Sequence, residues 1–158
     1  MKKSEDKTIV YKILDKMHLP YVAHTYVESG AVNGMEVAAV LNQNPDKVFK
    51  TLVTVGKSNN YYVFMVPVSK ELDLKKAAVM AGEKNISMIK SKELLGLTGY
   101  IHGGCSPIGM KKYFKTFIDE SAKNFDTIMF SGGKIGYQVE MTLDDLKEVI
   151  RIDLGDII

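Results

Sequence analysis

The chain has 158 residues, 46% hydrophobic and 25% charged, with a net charge of +2, the composition of an ordinary soluble globular protein and a length for one domain, 1–158, with a sizeable core. Its longest apolar runs, such as Tyr61 to Val68, are far too short to cross a bilayer, and no apolar stretch follows the lysines of Met1–Asp6, so neither a membrane helix nor a secretory signal is expected. Cys105 is the only cysteine, which excludes an internal disulfide and suits a reducing compartment, with the cytoplasm as the default location.

No repeat, low-complexity tract or linker divides the chain. Ile9, Ile13, Leu14 and Met17 recur at helical spacing, and Pro20 stops that helix. Tyr21 to Val27 is rich in β-branched and aromatic residues and reads as a strand. Met35 to Leu41 is a short amphipathic helix ending before the turn Asn42-Gln43-Asn44-Pro45. Val48 to Val55 and Tyr61 to Val66 are strands of a hairpin around the loop Gly56 to Asn60. Asp73 caps a helix over Leu74 to Ala81 that Gly82 closes. Ile86 to Ile89 reads as a strand, and Ser91 as the cap of another short helix. Strands are expected at Tyr113 to Ile118, Thr127 to Ser131 and Tyr137 to Met141. Thr142 and Asp145 resemble a capping box for a helix over Leu143 to Val149, and Ile150 to Leu154 closes the chain as a strand. Strands outnumber helices and include a hairpin, so the class is α+β, a curled barrel-like sheet with helices outside it.

Charge is unevenly spread. Residues 1–40 balance to zero, residues 41–115 carry +7 and residues 116–158 carry −5. A basic middle suggests a polyanion-facing surface; a solvated lysine face would give the same count.

Gly99-Tyr100-Ile101-His102-Gly103-Gly104-Cys105-Ser106-Pro107-Ile108-Gly109 is the most informative stretch. Glycine lets backbone approach a ligand closely, and consecutive free N–H groups in such a loop bind a phosphate or an oxyanion. A tight turn between strands has the same composition. Ser131-Gly132-Gly133-Lys134 offers a hydroxyl and further donors to the same pocket, or else makes a plain hairpin turn. Neither stretch has the spacing of a P-loop or of a dinucleotide fingerprint.

Lys50 lies in the apolar run Val48-Phe49-Lys50-Thr51-Leu52-Val53 and, on a strand, shares a face with Val48 and Leu52. A lysine in an inward-facing row is costly unless it meets an anion or lines a pocket; on an edge strand it would block aggregation instead. Cys105 reads as packed, since a nucleophile needs a base and His102 is close only in sequence. His18, His24 and His102 lack zinc-ligand spacing, so no metal and no cofactor is expected. Met35, Met65, Met80 and Met88 read as core, and Asp119 as the cap of a short helix.

These motifs, taken together, resemble the bacterial YbaK/EbsC family, aminoacyl-tRNA deacylases related to the editing domain inserted in bacterial prolyl-tRNA synthetases. The likeness is carried by His24-Thr25-Tyr26, by Asn44-Pro45-Asp46-Lys47-Val48-Phe49-Lys50-Thr51-Leu52 and by Leu72-Asp73-Leu74-Lys75-Lys76-Ala77-Ala78. It continues through Thr98-Gly99-Tyr100, Gly103 to Gly109 and Ser131-Gly132-Gly133, and runs in order from about residue 8 to 154. Within the family the chain is most similar to the stand-alone Cys-tRNA(Pro) deacylases.

The resemblance implies a mixed, mostly antiparallel barrel-like sheet with flanking helices and a pocket between them. It implies that Lys50 is the essential lysine and Gly103 the backbone donor to the scissile carbonyl, and the N–H groups of Gly103 and Gly104 are both expected to act in catalysis by stabilising the oxyanion. Tyr26 and Ser131 line the pocket, and Thr51, Ser106, Pro107 and Gly132, in the same motifs, are assigned to substrate binding. It implies removal of cysteine from Cys-tRNA(Pro), and from Cys-tRNA(Cys), by attack of the substrate's own thiol, with no protein nucleophile. Ala-tRNA(Pro) or another small aminoacyl ester is the alternative substrate. A non-catalytic module that binds tRNA or prolyl-tRNA synthetase through the basic middle is the alternative function. The chain departs from the family pattern at Gln138, where an acidic residue is common, and in a shortened loop from Val27 to Gly34. Cys105 stands at a position that is often apolar in relatives.

Overall fold

A computed structural model describes residues 7–158. Helix α1 (Ile9–Lys16) begins where the Thr8 hydroxyl accepts the Tyr11 N–H, and it ends at Met17, before Pro20. Strand β1 (Val22–Thr25) is shorter than its composition suggests, because Val27–Ser29 coil into a 3-10 turn that Ser29 fastens with a 2.7 Å bond to the Tyr26 carbonyl. Helix α2 (Gly34–Val40) opens on a reciprocal capping box between Asn33 and Glu36.

Strands β2 (Phe49–Gly56) and β3 (Tyr61–Pro67) form the expected hairpin. Helix α3 (Leu74–Ala81) runs from Asp73, which caps two N–H groups, to Gly82 in the left-handed conformation. Strand β4 (Ile86–Met88) leads through a 3-10 turn at Ser91–Glu93 into α4 (Leu94–Thr98). Ser91 does not cap that turn: Lys90 holds the capping position and makes no side-chain bond. Strands β5 (Lys115–Asp119), β6 (Ile128–Ser131) and β7 (Tyr137–Met141) follow, then α5 (Leu143–Val149), where Thr142 accepts the Asp145 N–H at 3.1 Å, and β8 (Ile152–Gly155).

The α+β class is as expected, but the barrel is not closed. The strands form two sheets, an antiparallel one ordered β1-β7-β6 and a mixed one ordered β4-β2-β3-β5-β8. Pairs β3/β5 and β5/β8 are parallel and the remaining strand pairs antiparallel. An isolated parallel bridge between Val48 and Met129 joins the sheets where β2 begins.

Strand β3 explains the layering. Its residues are apolar on both faces: Val63 and Met65 enter the main core with α1, β6, β7 and α5, while Tyr62, Phe64 and Val66 pack under α3 with Phe117. Phe64 and Phe117 stack at 5.2 Å between ring centroids. A smaller cluster, Ala38, Val48, Val68 and Met129, seats α2 over the bridge. Met65 is fully buried, and Met80 is partly buried against the cluster under α3. Met35 and Met88 are not core: at 49% and 46% exposure they sit on the outer side of α2 and on the edge strand β4.

Asp119 at the end of β5 is buried, accepting the Ser121 N–H on one oxygen and the Ile157 N–H on the other, each at 3.1 Å. It pins the C-terminus to the sheet as well as capping its turn. Asp119→Ala is expected to lower unfolding free energy by about 3 kcal/mol, the cost of orphaning two N–H groups bonded to a charged acceptor. Urea unfolding with an unchanged m-value is the check, and a loss near zero would dismiss the pin.

Candidate functional site

A cleft of about 260 Å³ opens beside the Val48–Met129 bridge, with walls from both sheets. Strand β2 contributes Lys50, Thr51 and Leu52; the strands β6 and β7 contribute Phe130, Ser131, Tyr137 and Gln138. Tyr26, the start of α2 and the loop from His102 to Cys105 complete the rim. Pockets for drug-sized ligands run to about 300–1,000 Å³, so this one suits a small group rather than a whole nucleotide.

Lys50 is the one Lys, Arg, Asp or Glu in the lining among the described residues. Its side chain is 30% exposed, and its ammonium lies 3.5 Å from Glu71, which is itself 92% exposed. A contact that long, to a carboxylate that water already solvates, holds the lysine weakly. The charge is therefore available to an anion entering the cleft. On the neighbouring residue, the Thr51 hydroxyl oxygen is buried and has no partner among the described residues. Tyr26 is buried against Ala31 and Val37, and its hydroxyl also has no protein partner among those residues.

The two glycine-rich stretches fold against each other. A Cβ on Gly104 would lie 3.1 Å from the Ile135 nitrogen and 3.2 Å from the Lys134 Cα, so only glycine lets the turn between β6 and β7 come so close. The Gly104 N–H is already donated to the Ile101 carbonyl at 3.0 Å. Gly103, at φ +90°, lines the cleft, and its amide donates to no acceptor among the described residues. Of the two glycines, Gly103 is thus the one with an amide to offer.

The remaining predicted positions divide in the same way. Ser131 lines the cleft; its oxygen accepts the Gly133 N–H at 3.1 Å, leaving the hydroxyl proton to point elsewhere. Gly132 lies outside the lining and donates its N–H to the Tyr137 carbonyl at 2.8 Å, closing the hairpin turn. Ser106 and Pro107 are buried behind the cleft, where the Ser106 oxygen accepts the Ile108 N–H at 3.3 Å and supports the loop that carries Gly103.

Cys105 does reach the lining, but burial pushes its thiol up to about 12, against a smaller opposing bond from Thr98. A thiol so rarely ionised is a poor nucleophile. Sequence reasoning passed over Asn33, Val37, Phe130 and Tyr137 as cleft residues, and local pattern offered no signal for them beyond the N-cap chemistry of Asn33. It marked Gln138 as a departure without its partner. The Gln138 side chain is 2% exposed and exchanges two hydrogen bonds with Gln43, at 2.7 and 3.0 Å. Among the described residues no three His, Cys, Asp or Glu side chains cluster as metal ligands.

The family profile of the aminoacyl-tRNA editing domain matches residues 29–149. The chain belongs to that family. Over 141 residues it is 40% identical to EbsC of Enterococcus faecalis, whose name ascribes to it Cys-tRNA(Pro)/Cys-tRNA(Cys) deacylation; the match covers 89% of this chain and 86% of EbsC. YwhH of Bacillus subtilis is 24% identical over 124 residues, 78% of each chain. A crystal structure described as a trans-editing enzyme for prolyl-tRNA synthetase superposes with a TM-score of 0.81 at 24% identity, over 94% of this chain and 93% of that one. At that identity the likeness concerns the editing-domain fold alone. Lys50, Gly103 and Ser131 fall inside the stretch that the editing-domain profile covers, and Tyr26 lies just before it.

A thiol near 12 is almost wholly protonated at about pH 8, where an unperturbed cysteine near 8.5 is partly ionised. Iodoacetamide is therefore expected to label Cys105 at least about a hundredfold more slowly in the native protein than in urea. Equal rates in the two states would contradict the burial of the thiol.

Proposed function

We propose that this chain is a free-standing trans-editing deacylase that releases wrongly attached cysteine from Cys-tRNA(Pro), and from Cys-tRNA(Cys) by the same chemistry. One observation carries the proposal: in a chain of the editing-domain family, a weakly paired lysine and a glycine amide with no acceptor among the described residues line one small cleft. The name of EbsC, the 40% identical relative, supports cysteine as the group removed.

An aminoacyl ester is already activated, so its cleavage asks for positioning and charge stabilisation more than for a protein nucleophile. In the proposed mechanism the Gly103 N–H donates to the scissile carbonyl oxygen as it becomes an oxyanion. Lys50 holds the phosphate or ribose end of the terminal adenosine, or the developing negative charge. Tyr26, Thr51 and Ser131 place the acyl group. Gly104, Ser106, Pro107 and Gly132 act from behind the cleft by shaping the two turns. The substrate's thiol sulfur attacks its own carbonyl carbon: a C–S bond forms, the ester C–O bond breaks, and the thiol proton passes to the departing ribose oxygen. Water then opens the resulting thiolactone to free cysteine.

The partner common to these roles is aminoacyl-tRNA, with the lysines of residues 41–115 facing its phosphates. We further propose that prolyl-tRNA synthetase is a docking partner, that the whole chain, 1–158, works as one domain, and that it acts in the cytoplasm, where tRNA is charged. Among the described residues no helix is long and apolar enough to cross a membrane.

The test is release of labelled amino acid from Cys-, Ala- and Pro-tRNA(Pro). Cys-tRNA(Pro) is expected to be cleared fastest, and Lys50→Ala to lose at least about a hundredfold in rate while tRNA binding falls less. Cys105→Ser is expected to remain active. Binding of tRNA with no release of any amino acid would make the protein a binding module, and faster clearance of Ala-tRNA(Pro) would move the specificity to alanine.

A further inference from the structure

We propose that the cleft recognises the acyl ester without recognising the substrate's α-amino group, and that Gln138 is the residue that sets this indifference. The inference rests on the deacylase reading above. An α-ammonium is a cation, and a cation enters a water-poor cleft at high cost unless an anion or several acceptors receive it.

No described lining residue supplies the anion, and the Glu36 carboxylate at the start of α2 is spent on the N–H groups of Val32 and Asn33. Lys50, the single charged side chain of the lining, has the wrong sign. Glu71, the carboxylate beside it, is 92% exposed at the mouth and faces the Lys50 ammonium. The other titratable lining groups are His102, which is neutral or cationic, the phenols of Tyr26 and Tyr137, and Cys105, which burial keeps protonated. Gln138 occupies the remaining polar wall on β7, and it is neutral. Its amide is also committed, giving one hydrogen bond to Gln43 and taking one from it. Glu140, two residues further along β7, accepts bonds from Thr127 and His24. Burial works to raise Glu140, yet those bonds outweigh it and hold the carboxyl below its usual range, so this charge is spent within the sheet.

A site built this way offers an ammonium on the acyl group no anion, only neutral acceptors such as the Thr51 hydroxyl oxygen, and so gains little from it. Small acyl esters of tRNA that lack the amine should be accepted as readily as those that carry it. Discrimination would then depend on the size and thiol of the side chain.

Cys-tRNA(Pro) and 3-mercaptopropionyl-tRNA(Pro) share the ester and the thiol and differ in the amine alone, so they decide the matter. Each rate is divided by that of spontaneous hydrolysis, because the ammonium itself activates an ester. The two accelerations are expected to agree within about threefold for the wild-type protein, and a deficit beyond about tenfold for the des-amino substrate would overturn the inference. Gln138→Glu is expected to favour the amine-bearing substrate by about tenfold or more at neutral pH. An unchanged ratio in a folded, active Gln138→Glu protein would overturn the role of position 138. The wild-type comparison needs no variant and stands if that protein fails to fold. If neither substrate is released, the deacylase reading falls and takes this inference with it.

Discussion

Two sheets meet at the parallel bridge between Val48 and Met129, and the geometry of the cleft follows from that junction. The bridge sets the start of β2 against β6, and α2 covers it through Ala38, which packs there with Val68 from just past the end of β3. Lys50 lies two residues beyond Val48, just past the point where the sheets part. The two sheets share the main core and leave a cleft beside this bridge. This cleft is lined by side chains from both, with backbone loops at its mouth.

The electrostatics of the cleft are lopsided. Its walls are largely apolar, one cation stands at its edge, and the carboxylates around it are solvated at the surface, as Glu71 is, spent on the start of α2, as Glu36 is, or bonded within a sheet, as Glu140 is. Beside apolar walls each donor counts for more than it would in bulk solution. The Lys50 ammonium, the Gly103 amide and the hydroxyls of Tyr26, Thr51 and Ser131 are among the polar groups that the lining offers.

The glycine pairs divide their work by hydrogen bonding. Gly132 and Gly104 spend their amides on local turns, and the absence of side chains lets those turns pack in contact. Gly103, beside them, has an amide that meets no acceptor among the described residues. Substituting Gly104 would disturb the cleft by moving backbone.

Local chemistry made much of the fold legible in advance. Caps such as Asp73 and Thr142, the stop imposed by Gly82 and the apolar alternation of β2 and β3 act over a few residues, and the elements they specify lie within a residue or two of expectation. The ordered motifs around Lys50, Gly103 and Ser131 likewise marked the neighbourhood of the cleft. What tertiary structure alone decided is of another kind. The sheets stop short of a closed barrel; Met35 and Met88 face solvent; Gly104 packs against Lys134 and Ile135 in the turn between β6 and β7. Gln43 and Gln138, 95 residues apart, neutralise each other's polar groups. Each of these outcomes depends on which distant partner reaches a hydrogen-bonding group or an apolar face first, and that competition is settled only when the whole chain packs.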